Sequence, residues 1–329
     1  MSETYINQAI NEAWKYQFLT YPNPAVGACV VKHKKVLSLQ AHKQAGMPHA
    51  EVNAIKEAYL ELCFNEELNN LTSSNEIHQY IIKNHNNIFN DCVIYVTLEP
   101  CNHIGKTPSC ANLLKELKFK KVYIGTLDTN KNASGGLSTL KNASIDVEVL
   151  NNQRCSDLLE PFSLWQKDNF RFFKIAMRKD GSVDGGYITS QDSLNLVHEI
   201  RTKLDLLIIG GNTVRIDKPT LDSRFAKINK ASNILIYSKQ KEFDKEINLF
   251  KVPSREVVIS SDINHIKANF SMIEGGYSLL NSIKDDIDML MVFISHKDKD
   301  SKSFDNQSLG FKIVHSYFLN KTDEVVFLK

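Results

Sequence analysis

The 329-residue sequence predicts two α/β domains in tandem. Three observations carry that expectation. Short apolar, β-branched runs alternate with segments of helical periodicity, the pattern of helices layered on a central sheet. The alternation occurs twice, over 1–150 and over 171–329, with an amphipathic stretch at 151–170 between them. The length also suits two domains, each able to bury a core of its own.

Element by element, residues 4–17 place apolar groups at helical spacing and predict a first helix. After the turn signal Tyr21-Pro22-Asn23-Pro24, the runs Ala28–Val31 and Val36–Leu39 predict a β-hairpin turning at His33-Lys34-Lys35. Residues 50–62 predict a helix, whereas the Asn-rich stretch 65–90 is polar, weakly patterned and reads as a peripheral insertion. Val93–Val96 is a short buried strand by composition, followed by a loop, a helix over 109–118 and a strand over 121–125. A connecting helix over 151–170 would bury Phe162 and Trp165. The second series places a strand at 172–177, a helix at 191–203 and strands at 205–209, 233–237 and 256–260. It ends in a strand-rich region at 287–295, 310–319 and 323–328.

Hydrophobic content of 42% and charged content of 24% are those of a soluble globular chain. Forty basic against 38 acidic residues leave a formal charge of +2. So balanced a surface offers no broad field for a polyanion, and a small-molecule substrate is expected rather than a nucleic acid. The opening MSETYINQAINEAWKY lacks a basic region followed by an apolar stretch, and no run approaches about 18 apolar residues, so a cytoplasmic location is expected. Six cysteines, at 29, 63, 92, 101, 110 and 155, then read as metal ligands and core residues rather than a disulfide framework.

Chemistry concentrates in His49-Ala50-Glu51, with Glu99-Pro100-Cys101 and Cys110 some fifty residues on. One imidazole and two thiolates supply three tetrahedral ligands to zinc and leave a fourth position open, the mark of a catalytic rather than a structural site. Bound zinc lowers the pKa of water from about 15.7 to about 7, and Glu51 is placed to move its protons. Histidine, glutamate and a Pro-Cys pair in this order are the signature of zinc-dependent base deaminases. The alternative is a structural site completed by His103; His42 and His103 each stand equally as substrate contacts or as scaffold.

Longer stretches narrow the family. Pro22–Gly27, Ala45-Gly46 leading to His49–Val52, and Thr97–His103 with Gly105, Thr107, Pro108 and Cys110 together resemble the bifunctional riboflavin-biosynthesis enzymes. These fuse a diaminohydroxyphosphoribosylaminopyrimidine deaminase to a 5-amino-6-(5-phosphoribosylamino)uracil reductase. Eight residues between the thiols set this chain apart from cytidine and tRNA-adenosine deaminases, which usually have two. The carboxyl-terminal half resembles the family's reductase through Lys174-x-Ala176, Asp180-Gly181, Ile188–Ser190, His198-x-x-Arg201, the Gly211–Arg224 stretch and Glu274-Gly275-Gly276.

The resemblance implies a cytidine-deaminase-like three-layer α/β/α domain followed by a dihydrofolate-reductase-like α/β domain. It implies zinc and NADPH as cofactors, and a homo-oligomer through the reductase domain. Glu51 is then catalytic and His49, Cys101 and Cys110 hold the metal. Asn23, Arg201, Leu221, Arg224 and Glu274 meet substrate; Thr213, Asp217, Gly275 and Gly276 meet the dinucleotide. Two pairs among these have a physical reading of their own: Arg201 and Arg224 suit a substrate phosphate, and Gly275-Gly276 before a helix lets backbone amides approach a phosphate. The chain departs from the family at Arg178–Gly181 and in the segment 182–187, which is several residues short. That departure motivates an alternative in which the second domain no longer reduces.

Overall fold

The structure, a computed structural model, describes residues 2–102, 107–130, 134–183, 186–228, 230–298 and 309–329. His103, Gly105, residues 184–185 and the end of the charged run 296–302 fall outside them. The chain forms two compact units, Met1–Ser163 and Leu164–Lys329. No helix among the described residues is long and apolar enough to cross a membrane.

The first unit opens with α1 (Ser2–Trp14), whose Ile6, Ala9, Ile10 and Ala13 form the buried stripe. Next come β1 (Gly27–Lys32) and β2 (Lys35–Ala41), an antiparallel hairpin with Lys32 opposite Lys35. His33 and Lys34 both take positive φ, 49° and 70°, as a two-residue hairpin turn requires. A Cβ at Gly27 would overlap the Ala9 carbonyl, so α1 lies directly on β1. The helix α2 (Ala50–Leu62) coincides with the expected 50–62.

The stretch 65–90 is not a loose insertion. It forms α3 (Glu66–Asn70) and α4 (Ser74–Asn84) and buries Leu68, Ile77, Ile81 and Phe89. Lys56 of α2 donates to the carbonyls of Asn69 and Leu71, and the Tyr59 hydroxyl to that of Asn84. A few apolar residues at i, i+4 spacing suffice once a neighbouring helix offers a face to cover.

The remaining elements are β3 (Cys92–Leu98), α5 (Cys110–Glu116), β4 (Lys121–Thr126), α6 (Gly136–Asn142), β5 (Asp146–Val149) and α7 (Gln153–Lys167). The five strands run in the order β2-β1-β3-β4-β5, with β1 antiparallel to β3 and the last three parallel. Phe162 and Trp165 on α7 are buried, as expected. Neither α6 nor β5 was anticipated, both being short and polar.

The second unit contains β6 (Phe170–Arg178), α8 (Gln191–Arg201), β7 (Leu206–Gly210), α9 (Gly211–Asp217), β8 (Asn233–Tyr237) and β9 (Val257–Ser260). It continues through β10 (Phe270–Glu274), α10 (Tyr277–Ser282), β11 (Met289–Ser295), β12 (Ile313–Phe318) and β13 (Asp323–Leu328). The sheet order is β12-β13-β11-β6-β10-β7-β8-β9, parallel from β11 to β9. The strands β13 and β12 extend it antiparallel at one edge. All five residues of β7 and all seven of β11 are buried, consistent with a parallel sheet covered on both faces.

Connections leave the centre of this sheet in opposite directions. The chain passes from β6 beyond β10 to reach β7, and from β10 beyond β6 to reach β11. Adjacent parallel strands whose connections diverge mark a topological switch point, where a crevice opens at the carboxyl ends. Arg178 and Glu274 are the last residues of those two strands.

Candidate active site

Local structure delivers the three ligands to one point. His49 is the residue before α2, Cys110 the first residue of α5, and Cys101 lies in the loop between β3 and α5. That loop is closed on itself: the Ser109 hydroxyl donates to the Cys101 carbonyl, as does the Ala111 amide, while Ser109 Oγ accepts from Asn112 N–H and caps α5.

The His49, Cys101 and Cys110 ligand atoms all lie within 4.8 Å of one another. His49 Nδ1 is 3.6 Å from Cys101 Sγ and 3.5 Å from Cys110 Sγ. A tetrahedral zinc with metal–ligand distances of about 2.0–2.3 Å has edges of roughly 3.3–3.8 Å, so the donor set fits the ion. The other imidazole nitrogen, Nε2, is 3.4 Å from Thr107 Oγ1.

Electrostatics prepare one of the three donors as a thiolate, and protons on the other two must leave as a metal binds. A hydrogen bond from Cys110 holds the Cys101 thiol well below the ordinary range against burial, with His49 adding to the effect. The Cys110 amide also points at Cys101 Sγ, 3.4 Å away. The contact between the two thiols and burial push the Cys110 thiol well up. Burial disfavours the His49 imidazolium, but its bond to Cys101 and the nearby Glu51 outweigh that and raise its pKa.

Glu51, second residue of α2, is 4% exposed, and burial lifts its carboxyl to about 7. A group with a pKa near neutrality can both take and return a proton.

Asn23 also reaches this site. Its Nδ2 lies 3.2 Å from His42 Nε2, and His42 Nδ1 lies 3.1 Å from the Pro48 carbonyl. A carbonyl only accepts, so the proton sits on Nδ1 and Nε2 accepts from the Asn23 amide. Burial, then His49, lowers the His42 pKa to about 4, which keeps this ring neutral and the Asn23 amide oriented.

Sequence reasoning quoted Glu99 within the metal motif but gave it no task. Its carboxylate accepts from three backbone amides: Gly135 and Leu137 at 3.0 Å and Asp128 at 3.2 Å. It therefore ties the metal loop to the segment leading into α6. Its place beside Pro100-Cys101 was the available signal.

In the second unit Glu274 receives Arg201 through Nε at 3.0 Å and Nη2 at 2.8 and 3.0 Å. Arg201 Nη1 donates to the Asp222 carbonyl. Burial opposes the Glu274 charge, but Arg201 and Lys174 outweigh it and hold the carboxyl low. Arg201, expected to face a phosphate, is here committed to Glu274. Leu221 lies beside them, buried, with a positive φ of 54°, its carbonyl held by Arg255. Arg224 is half-exposed, with Nε 3.5 Å from Asp222. Thr213 and Asp217 sit on α9, directly after β7, and Gly275-Gly276 link β10 to α10. All four cofactor candidates therefore follow the carboxyl ends of two neighbouring parallel strands.

Residues 1–126 match the model of the cytidine and deoxycytidylate deaminase zinc-binding region. Riboflavin biosynthesis protein RibD of Aquifex aeolicus is 29% identical over 86% of this chain and 77% of its own length. RibD of a Synechocystis species is 33% identical over 61% of this chain, a match that spans only half of that relative. The solved deaminase/reductase of Thermotoga maritima superimposes with a TM-score of 0.63 at 25% identity, covering 100% of this chain and 98% of the other. A deaminase-type metal centre followed by a second α/β unit is the order these relatives share, and over both units the chain is similar to the RibD riboflavin-biosynthesis deaminase–reductases.

Proposed function

We propose that the first unit hydrolyses an amino group from 2,5-diamino-6-(5-phosphoribosylamino)pyrimidin-4-one, releasing ammonia. The second unit then reduces the ribosyl group of the product to ribityl with a hydride from NADPH. The observation that carries the reading is the convergence of His49, Cys101 and Cys110 beside a buried Glu51. Zinc held there supplies the Lewis acidity that makes water a nucleophile at neutral pH. Glu51 takes one proton from the attacking water to the ring nitrogen, then passes the hydroxyl proton of the adduct to the amino group, which leaves as ammonia. Asn23, oriented by His42, fixes the pyrimidine edge.

In the second unit Thr213, Asp217, Gly275 and Gly276 hold the dinucleotide, while Leu221, Arg224 and the Arg201–Glu274 pair face substrate. The nicotinamide does the hydride chemistry and the protein orients it. The enzyme acts on a small molecule in the cytoplasm, binds no nucleic acid and associates through its second unit. Glu51→Gln should retain zinc while ammonia release falls by about 10²–10⁴-fold; loss of metal along with activity would make Glu51 structural.

A second reading, a deaminase with a non-reducing partner domain, is favoured by the short 182–187 segment. Ammonia release and NADPH oxidation, measured separately on one preparation, decide between them.

A further inference from the structure

Two turns follow the neighbouring strands of the switch point, β6 running four residues beyond the level at which β10 ends. One follows β6: Gly181 N–H bonds the Arg178 carbonyl, Arg178 N–H bonds that of Ser182, and the Asp180 carboxylate caps Ser182 N–H. Gly181 adopts a φ of 87°, a left-handed conformation that suits glycine. The other turn is Gly275-Gly276, after β10, where a Cβ on Gly276 would meet open space. The strands are hydrogen-bonded neighbours, with Glu274 beside Lys174.

One side chain joins these turns. Tyr277, first residue of α10, donates its hydroxyl to the Gly181 carbonyl at 2.7 Å, ninety-six residues back along the chain. Met177, at the end of β6, lies 3.7 Å from the same oxygen through its sulfur. The ring packs on the core of the unit. Burial, with Asp180 nearby, raises the phenol pKa, so the hydroxyl keeps its proton and remains a donor.

The turn after β6 is fastened from the other side as well, Lys179 N–H bonding the Ser295 carbonyl at the end of β11. The Tyr277 side chain bridges that offset, so the two turns are tied through one hydrogen bond. From this arrangement we infer that Tyr277 is a positioning residue for the nicotinamide dinucleotide. Its bond to the Gly181 carbonyl fixes the turn that follows β6 relative to Gly275-Gly276 at the start of α10.

The inference rests on the reading of the second unit as a reductase. Tyr277→Phe deletes one oxygen and keeps the packed ring. Losing one hydrogen bond should raise the Kd for NADPH, followed by its fluorescence, and the KM for NADPH by about three- to tenfold. The kcat at saturating NADPH and ammonia release by the first unit should stay within twofold. Unchanged Kd and KM for NADPH would overturn the role of Tyr277 alone. Equal falls in kcat and in thermal midpoint, with KM unmoved, would make it a structural residue. Failure of the wild-type chain to bind NADPH would remove the reductase reading, and the inference with it.

Discussion

At the scale of single residues, valence made the metal centre legible and tautomerism hid its support. His49, Glu51, Cys101 and Cys110 could be named because few side chains ligate zinc or move protons beside it. Thr107 could be quoted within the motif but given no task. Its task depends on which imidazole nitrogen faces the thiols, and only the fold shows Nδ1 turned to sulfur and Nε2 to Thr107. A hydroxyl accepting from Nε2–H fixes the ligating tautomer. Thr107→Val should therefore weaken zinc binding by about 10- to 100-fold, read by competition with a chromophoric chelator. Thr107→Ser should restore it; equal affinities in all three proteins would remove Thr107 from the metal's support. Arg201 shows the opposite limit. Its charge suited a phosphate, but the sequence could not reveal that Glu274 would claim its donors.

At the scale of elements, periodicity recovered what is apolar and regular. The helix over 50–62 matches α2, and the strands expected at 205–209 and 233–237 lie within a residue of β7 and β8. What escaped was short and polar: α6, β5 and α9, held by tertiary contacts rather than by propensity. The docking of α6 matters to the site, because Gly136 packs so closely on Pro100 that a Cβ would overlap its carbonyl oxygen. Glu99 bonds amides on both sides of Gly136. Gly136→Ala should destabilise the first unit by about 1–3 kcal/mol, as overpacking does, and lower its zinc content. Urea unfolding with metal analysis of the folded protein measures both, and wild-type values for each would show that α6 can shift without cost.

At the scale of the whole molecule, both units carry a buried histidine that opposes acid. His78 on α4 and His198 on α8 are 3% and 5% exposed, and burial lowers each pKa to about 4. An unfolded chain restores them to about 6.5, so between those values the unfolded state binds more protons. Stability should fall as pH drops from about 6.5 to 4. Urea midpoints at pH 7 and pH 5 should differ in the wild type and differ by less in His78→Gln and in His198→Gln; parallel pH dependence in all three would exclude these groups. The order of the second sheet bears on synthesis too. The strands β6 and β7 meet only through β10, so residues 211–269 must leave the ribosome before the gap between them is filled. At about 5–20 residues per second that interval lasts roughly 3–12 s. Throughout it the nascent chain carries an unpaired edge on β6, where three basic residues interrupt the apolar run, and another on the wholly apolar β7, an invitation to chaperones and to neighbouring polysomes alike.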